Sequence, residues 1–307
     1  TQIWFDLEYK VIWQQPILKH NSQSYFSKDG EFLYVGKSPR GPFLKLNAET
    51  GKLIDKYPLQ NILNNIIETE DSLYLMTDKK CHIINKMKFE LVQIYQDGIC
   101  NHSDSGSTNG NWLLTAARGY KSISCLNMKT GEHYKKKVDG ITKIWHIKND
   151  IFYFSTNEGL FEIEVNDKKI KVIYKIDDEK TTYDFAGVYL DVPSQVFYYL
   201  GFEGALNIVD LKTKSEKSII LDTITDHNIY VNKNKVFIGG GMTYGGGAYP
   251  RYSSVYEIDE DKLASKIIAK FDKLIVKAIC PIQNKIVVFP LLTYAHNDKS
   301  KELLECI

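Results

Sequence analysis

Arginine is scarce in this chain: of 39 basic residues, only Arg40, Arg118 and Arg251 are arginines. Paired cysteines are missing too. Cys81, Cys100, Cys125, Cys280 and Cys306 are odd in number, far apart and contain no CxxC. That argues against a disulfide framework or a zinc site and for buried thiols in a reducing compartment. No apolar run approaches the roughly 18 residues that a membrane helix needs, and the opening TQIWFDLEYK lacks the basic head and apolar stretch of a signal peptide. The cytoplasm is the expected compartment, with a processed, secreted form left open because the chain starts at Thr1. A net charge of +1 gives no general attraction to nucleic acid or to an anionic membrane, and neither is expected as a partner. The motifs GxSxG, HExxH and GxGxxG are also absent, so no catalytic centre announces itself in one local stretch.

What the chain does contain is repetition. Residues 43–53, FLKLNAETGKL, read as a strand, a turn over residues 47–51 and the start of a second strand, with Gly51 at positive φ. The aromatic or apolar strands FLYVG, LYLMT, WLLTA, IFYFS, VFYYLG, VFIGG and IVVFP recur along the chain. Their central residues, Tyr34, Tyr74, Leu113, Tyr153, Tyr198, Phe237 and Val288, are separated by 40, 39, 40, 45, 39 and 51 residues. Each is followed by another apolar strand and preceded by a candidate inner strand. Such a period predicts an all-β protein, a seven-bladed β-propeller of four-stranded antiparallel blades forming a single domain over residues 1–307. Residues 59–67 and 263–271 also fit a helical face; strand is chosen because each blade needs one. The seventh repeat ends after its third strand, so the N-terminus is expected to close the ring through residues 3–8 or 10–13.

At LNAETGK and LNMKTGE the sequence resembles the quinoprotein-like propeller repeat, and FSKDGEFLYVG resembles the turn of WD40-like propellers. The resemblance is one of architecture over nearly the whole chain. The vicinal cysteine pair and the docking tryptophan of quinone-dependent dehydrogenases are missing, so no quinone, and no other cofactor, is expected. The Trp-Asp endings of regular WD40 blades are missing as well.

Two groups of residues are candidates for function. Arg40, Arg118 and Arg251 each fall between the second and third strands of a blade, which places them on one rim, with Tyr120, Tyr249 and Tyr252 beside two of them. Guanidinium forks and tyrosines suit a protein-binding surface. The long loops 239–254 and 291–300 would extend this lip. The expected function is a protein-binding scaffold, a monomer that grips another protein. Its richness in Lys, Ile and Asn suggests a bacterial accessory or toxin-neutralising protein. The alternative is an enzyme, a lyase or hydrolase of a small or sugar-like anionic substrate. Its residues would be His102, His146, His227 and Asp184 on inner strands, with a metal in the channel as one variant. His20, Asp104 and Asp226 belong to the same polar set. The run DSGSTNG from Asp104 lacks calcium-loop spacing and reads as a long inner turn.

Overall fold

A computed structural model of the protein describes residues 13–16, 23–36, 41–96, 103–117, 121–177, 187–201, 204–221, 228–232, 235–240, 252–272, 274–282, 285–292 and 303–306. These residues hold strands and no helix. After β1 (Trp13–Pro16), the first blade is β2 (Gln23–Phe26), β3 (Phe32–Gly36), β4 (Phe43–Asn47) and β5 (Leu53–Tyr57). The second is β6 (Leu63–Glu68), β7 (Ser72–Thr77), β8 (Lys80–Asn85) and β9 (Leu91–Gln96), and the third is β10 (Ser103–Thr108), β11 (Trp112–Ala117), β12 (Ser122–Asn127) and β13 (His133–Lys137). The fourth is β14 (Lys143–Lys148), β15 (Ile151–Thr156), β16 (Gly159–Glu164) and β17 (Lys169–Lys175). The fifth is β18 (Val188–Asp191), β19 (Val196–Leu200), β20 (Ala205–Asp210) and β21 (Glu216–Ile220). The sixth is β22 (Asn228–Asn232), β23 (Lys235–Gly240), β24 (Tyr252–Asp259) and β25 (Ala264–Asp272). Each is an antiparallel meander in chain order.

The complete four-stranded blades number six, where the repeat predicts seven. The seventh repeat is split into two ladders. One joins β26 (Leu274–Ile282) to β27 (Lys285–Leu292), and the other joins β28 (Leu303–Cys306) to β1. β27 and β28 lie side by side, but a nine- and eight-residue hairpin faces a pair of four-residue strands, too short to carry the full ladder. Ring closure by the N-terminus holds: Trp13 pairs with Cys306 and Pro16 with Leu303, antiparallel. The closing strand begins at the last residue of the segment 10–13, while residues 3–8 lie outside the described residues. β26 also lies against β2 and β22, so the innermost strands run around the ring.

Packing explains why the second strand of each repeat is the most legible. Tyr34, Tyr74, Leu113, Tyr198 and Phe237 are all buried, because the middle of a blade is covered on both faces. Apolar clusters therefore bridge successive blades. Tyr34 and Phe43 of the first pack with Leu63, Leu75 and Ile84 of the second. Leu114 and Ile123 of the third pack with Ile144, Phe152 and Phe154 of the fourth. Residues 59–67 and 263–271 contribute β6 and β25, so the strand reading holds for both.

The turn between third and fourth strands is a repeated device. Asn47 Oδ1 accepts the amides of Glu49 and Thr50, Asn85 those of Met87 and Lys88, and Asn127 those of Lys129 and Thr130. Asp210 does the same for Lys212 and Thr213. Gly51 has φ 67, as its place in the turn requires. DSGSTNG departs from its reading as a turn, because Ser103–Thr108 forms the innermost strand β10. Its serines have a structural use: Ser105 Oγ accepts the Ile144 amide and Ser107 Oγ the His146 amide, each at 2.9 Å, satisfying the free inner edge of the next blade.

His82 joins the first two blades. Its Nδ1 lies 2.9 Å from the Tyr57 hydroxyl with the rings edge to face, while Nε2 has no hydrogen-bond partner among the described residues. Burial, and then the charge of Lys80, holds its pKa below the ordinary histidine value. A proton is therefore bound more readily by the unfolded chain, and stability that is complete above about pH 6.5 falls as pH drops below it. The slope from this one group is at most about 1.4 kcal/mol per pH unit. Urea titrations of wild type and His82→Phe between pH 7.5 and 5.5 should show a smaller acid loss in the variant; equal losses would assign the acid sensitivity elsewhere.

Candidate functional site

In an antiparallel blade, the loops joining strands one to two and three to four leave at one end, and those joining two to three leave at the other. Arg40 falls between β3 and β4, Arg118 between β11 and β12, and Arg251 between β23 and β24, so the chain order puts all of these positions in two-to-three connections. Arg40, Arg118, Tyr120, Tyr249 and Arg251 lie outside the described residues, and Tyr252 is placed by its backbone alone as the first residue of β24.

Of the channel set, His20, His102, Asp184, Asp226 and His227 also lie outside the described residues, and Asp104 is placed on β10 by its backbone. His146 is described, on the innermost strand β14. Its ring packs on Phe152 with centroids 5.1 Å apart, and Nε2 lies 3.0 Å from the Asn149 carbonyl oxygen. Those contacts give it a structural part at the interface of the third and fourth blades. Among the described residues no group of His, Cys, Asp and Glu could hold a metal ion. Cys81 and Cys125 are buried free thiols, as expected, and burial pushes the Cys125 thiol up to about 11.

A groove that the motif search did not find lies at the opposite end of the strands from the arginine connections. Its volume is about 700 Å³, and it runs between the β18–β19 turn of the fifth blade and the β24–β25 turn of the sixth. Asp191, Glu257, Asp259, Glu260 and Asp261 line it, against the lysines Lys262 and Lys266. The turns position these groups. Asp191 Oδ2 accepts the Ser194 hydroxyl at 2.6 Å, and Glu260 Oε1 accepts the Tyr198 hydroxyl at 2.9 Å. Burial first, and then the Glu260 charge, drives the Tyr198 phenol far above its ordinary value, so it stays protonated and donating. Asp259 is taken up locally: Lys262 reaches it at 2.9 Å through its ammonium and at 3.0 Å through its amide, and these contacts lower the aspartate's pKa. The groove thus keeps an excess of negative charge on a floor formed by Val196 and Tyr198. Acidic turn sequences, DVPS and EIDEDK, were its signal in the sequence, but nothing local shows that residues 191 and 261 share a wall.

No protein-family model matches the chain, and no curated protein matches it. Solved structures do. The U3-55K structure is 7% identical with a TM-score of 0.64, covering 95% of this chain and 98% of that one. The WD40 repeats of RRP9 are likewise 7% identical with a TM-score of 0.64, covering 95% and 96%. KlHsv2, with its loop 6CD replaced by a Gly-Ser linker, is 7% identical with a TM-score of 0.50 over 79% and 82%. At such identity the likeness concerns the fold alone, and the fold of this chain is a WD40-like β-propeller.

Proposed function

We propose that the protein is a binding scaffold whose ring holds a basic segment of a partner protein in the groove between the fifth and sixth blades. The observation that carries this reading is the excess of carboxylates on a groove with a tyrosine-bearing floor. Clefts lined by charge of one sign concentrate oppositely charged ligands and speed their association. Blades packed against both neighbours give such a groove rigid walls, which lowers the ordering cost of binding. The likeness to WD40 propellers supports a scaffold rather than a particular partner. The connections carrying Arg40, Arg118 and Arg251 lie at the other end of the strands and provide a second contact region for an acidic surface.

A labelled Lys/Arg-rich peptide of about 15 residues, matched with an acidic peptide of the same length, tests the groove by fluorescence anisotropy. The basic peptide should bind more tightly, weaken as salt rises, and lose about tenfold in affinity in the Asp191→Asn/Asp261→Lys variant. Equal binding of both peptides, or affinity unchanged by the double substitution, would overturn the groove assignment.

A further inference from the structure

We propose that Lys143, on the innermost strand of the fourth blade, is a reactive amine that captures small aldehydes entering the ring. The strand alternation sets the position. Trp145 and Ile147 of β14 pack toward the fifth blade, against a cluster containing Val188 and Leu190, and Lys143 shares their face two residues earlier. Its Nζ lies 5.9 Å from the ring centroid of Tyr189, on the innermost strand of the fifth blade. Lys143 is half-buried and has neither an ion pair nor a hydrogen bond to its ammonium among the described residues. Tyr189, the described titratable group facing it, is neutral, because burial and the Asp191 charge raise its phenol. The opposing residue on β15 is Ser155, whose hydroxyl is taken by Thr142 at 2.6 Å. On the other side, the β10 serines are occupied with the amides of Ile144 and His146.

An ammonium in such a place has lost water without gaining a counter-charge, and burial alone holds its pKa below the usual lysine range. More of it is neutral at neutral pH than of a solvated lysine, and a neutral, desolvated amine is a nucleophile. The step is a simple condensation. The Nζ lone pair attacks the carbonyl carbon, the carbinolamine loses water, and a C=N bond is left to Lys143; water reverses it, and added hydride reduces it to a stable secondary amine.

Limiting formaldehyde with cyanoborohydride at pH 7, followed by peptide mass spectrometry of the native protein, reads this directly. Lys143 should be alkylated at least about threefold faster than the exposed Lys171 and Lys175. At pH 11, where the exposed lysines are also largely neutral, that lead should vanish. Lys143→Arg, with an unchanged thermal midpoint, should abolish the fast site. Alkylation of Lys143 no faster than that of Lys171 and Lys175, or only once the chain is unfolded in urea, overturns the proposal; the wild-type measurement alone suffices if the variant does not fold.

Discussion

Glu68→Ala should destabilise the protein by about 3 to 5 kcal/mol, read as a fall in the urea midpoint at unchanged slope. Glu68 ends β6, and its side chain is fully buried. One oxygen meets the Lys86 ammonium in an ion pair, and the other accepts the Lys28 amide at 2.8 Å from the first blade. Lys86 is itself largely buried, with Asp29 at 3.8 Å as a distant second carboxylate. Burial works against its charge, but the hydrogen bond and charge of Glu68, helped by Asp29, outweigh it and raise its pKa. Neighbouring Lys45 is committed elsewhere, lying 4.1 Å from the Phe32 ring centroid and donating to the Lys86 carbonyl at 3.2 Å. Removing Glu68 leaves a cation and an amide buried with little compensation, which is why the loss should exceed that of an exposed pair such as Lys121–Asp139. If the cost comes from the stranded charge, Glu68→Leu with Lys86→Met should recover most of it. A double variant as unstable as the single one would assign the loss to packing instead.

Gly159→Ala should cost about 3 kcal/mol or more, combining backbone strain of about 1–3 kcal/mol with overpacking of about 1–3 kcal/mol. Gly159 opens β16 with φ 149, where the chain turns back after Asn157 and Glu158. A Cβ there would stand 2.1 Å from the Tyr174 carbonyl oxygen and 3.1 Å from the Lys175 Cα. Both are backbone atoms of β17, paired with this strand, so relief requires moving a strand rather than rotating a side chain. Gly131→Ala is the control: at φ 76 with nothing within 4 Å, it should lose only the left-handed penalty of about 1–2 kcal/mol. Thermal unfolding should rank Gly159→Ala well below Gly131→Ala, and equal midpoints would show that β17 yields cheaply.

The legible part of the fold was the part that packing dictates residue by residue. FLYVG, LYLMT and WLLTA could be recognised because the second strand of a blade is covered on both faces and must be apolar at nearly every position. The Asn-x-x-Thr-Gly turns were legible because one side-chain oxygen and one left-handed glycine close them locally. DSGSTNG was misread because its serines serve the amides of the following blade, about 39 residues away, a need no local pattern displays. The candidate site was hardly legible at all. His146 is a packing residue beside Phe152, and Asp191 and Asp261 meet only because two blades are stacked.

By itself, then, the sequence determined an all-β chain of repeated four-stranded units closed by its own N-terminus, since strand period, turn chemistry and repeat length are local or periodic properties. Tertiary structure decided that six blades carry complete ladders while the seventh repeat is split. It also decided that Glu68 and Lys86 are buried together, that carboxylates from two blades share a groove, and that Lys143 sits over Tyr189 without a counter-charge among the described residues. Each of those depends on which face of one blade meets the next, and charge, desolvation and shape at such an interface belong to the pair of surfaces rather than to either strand.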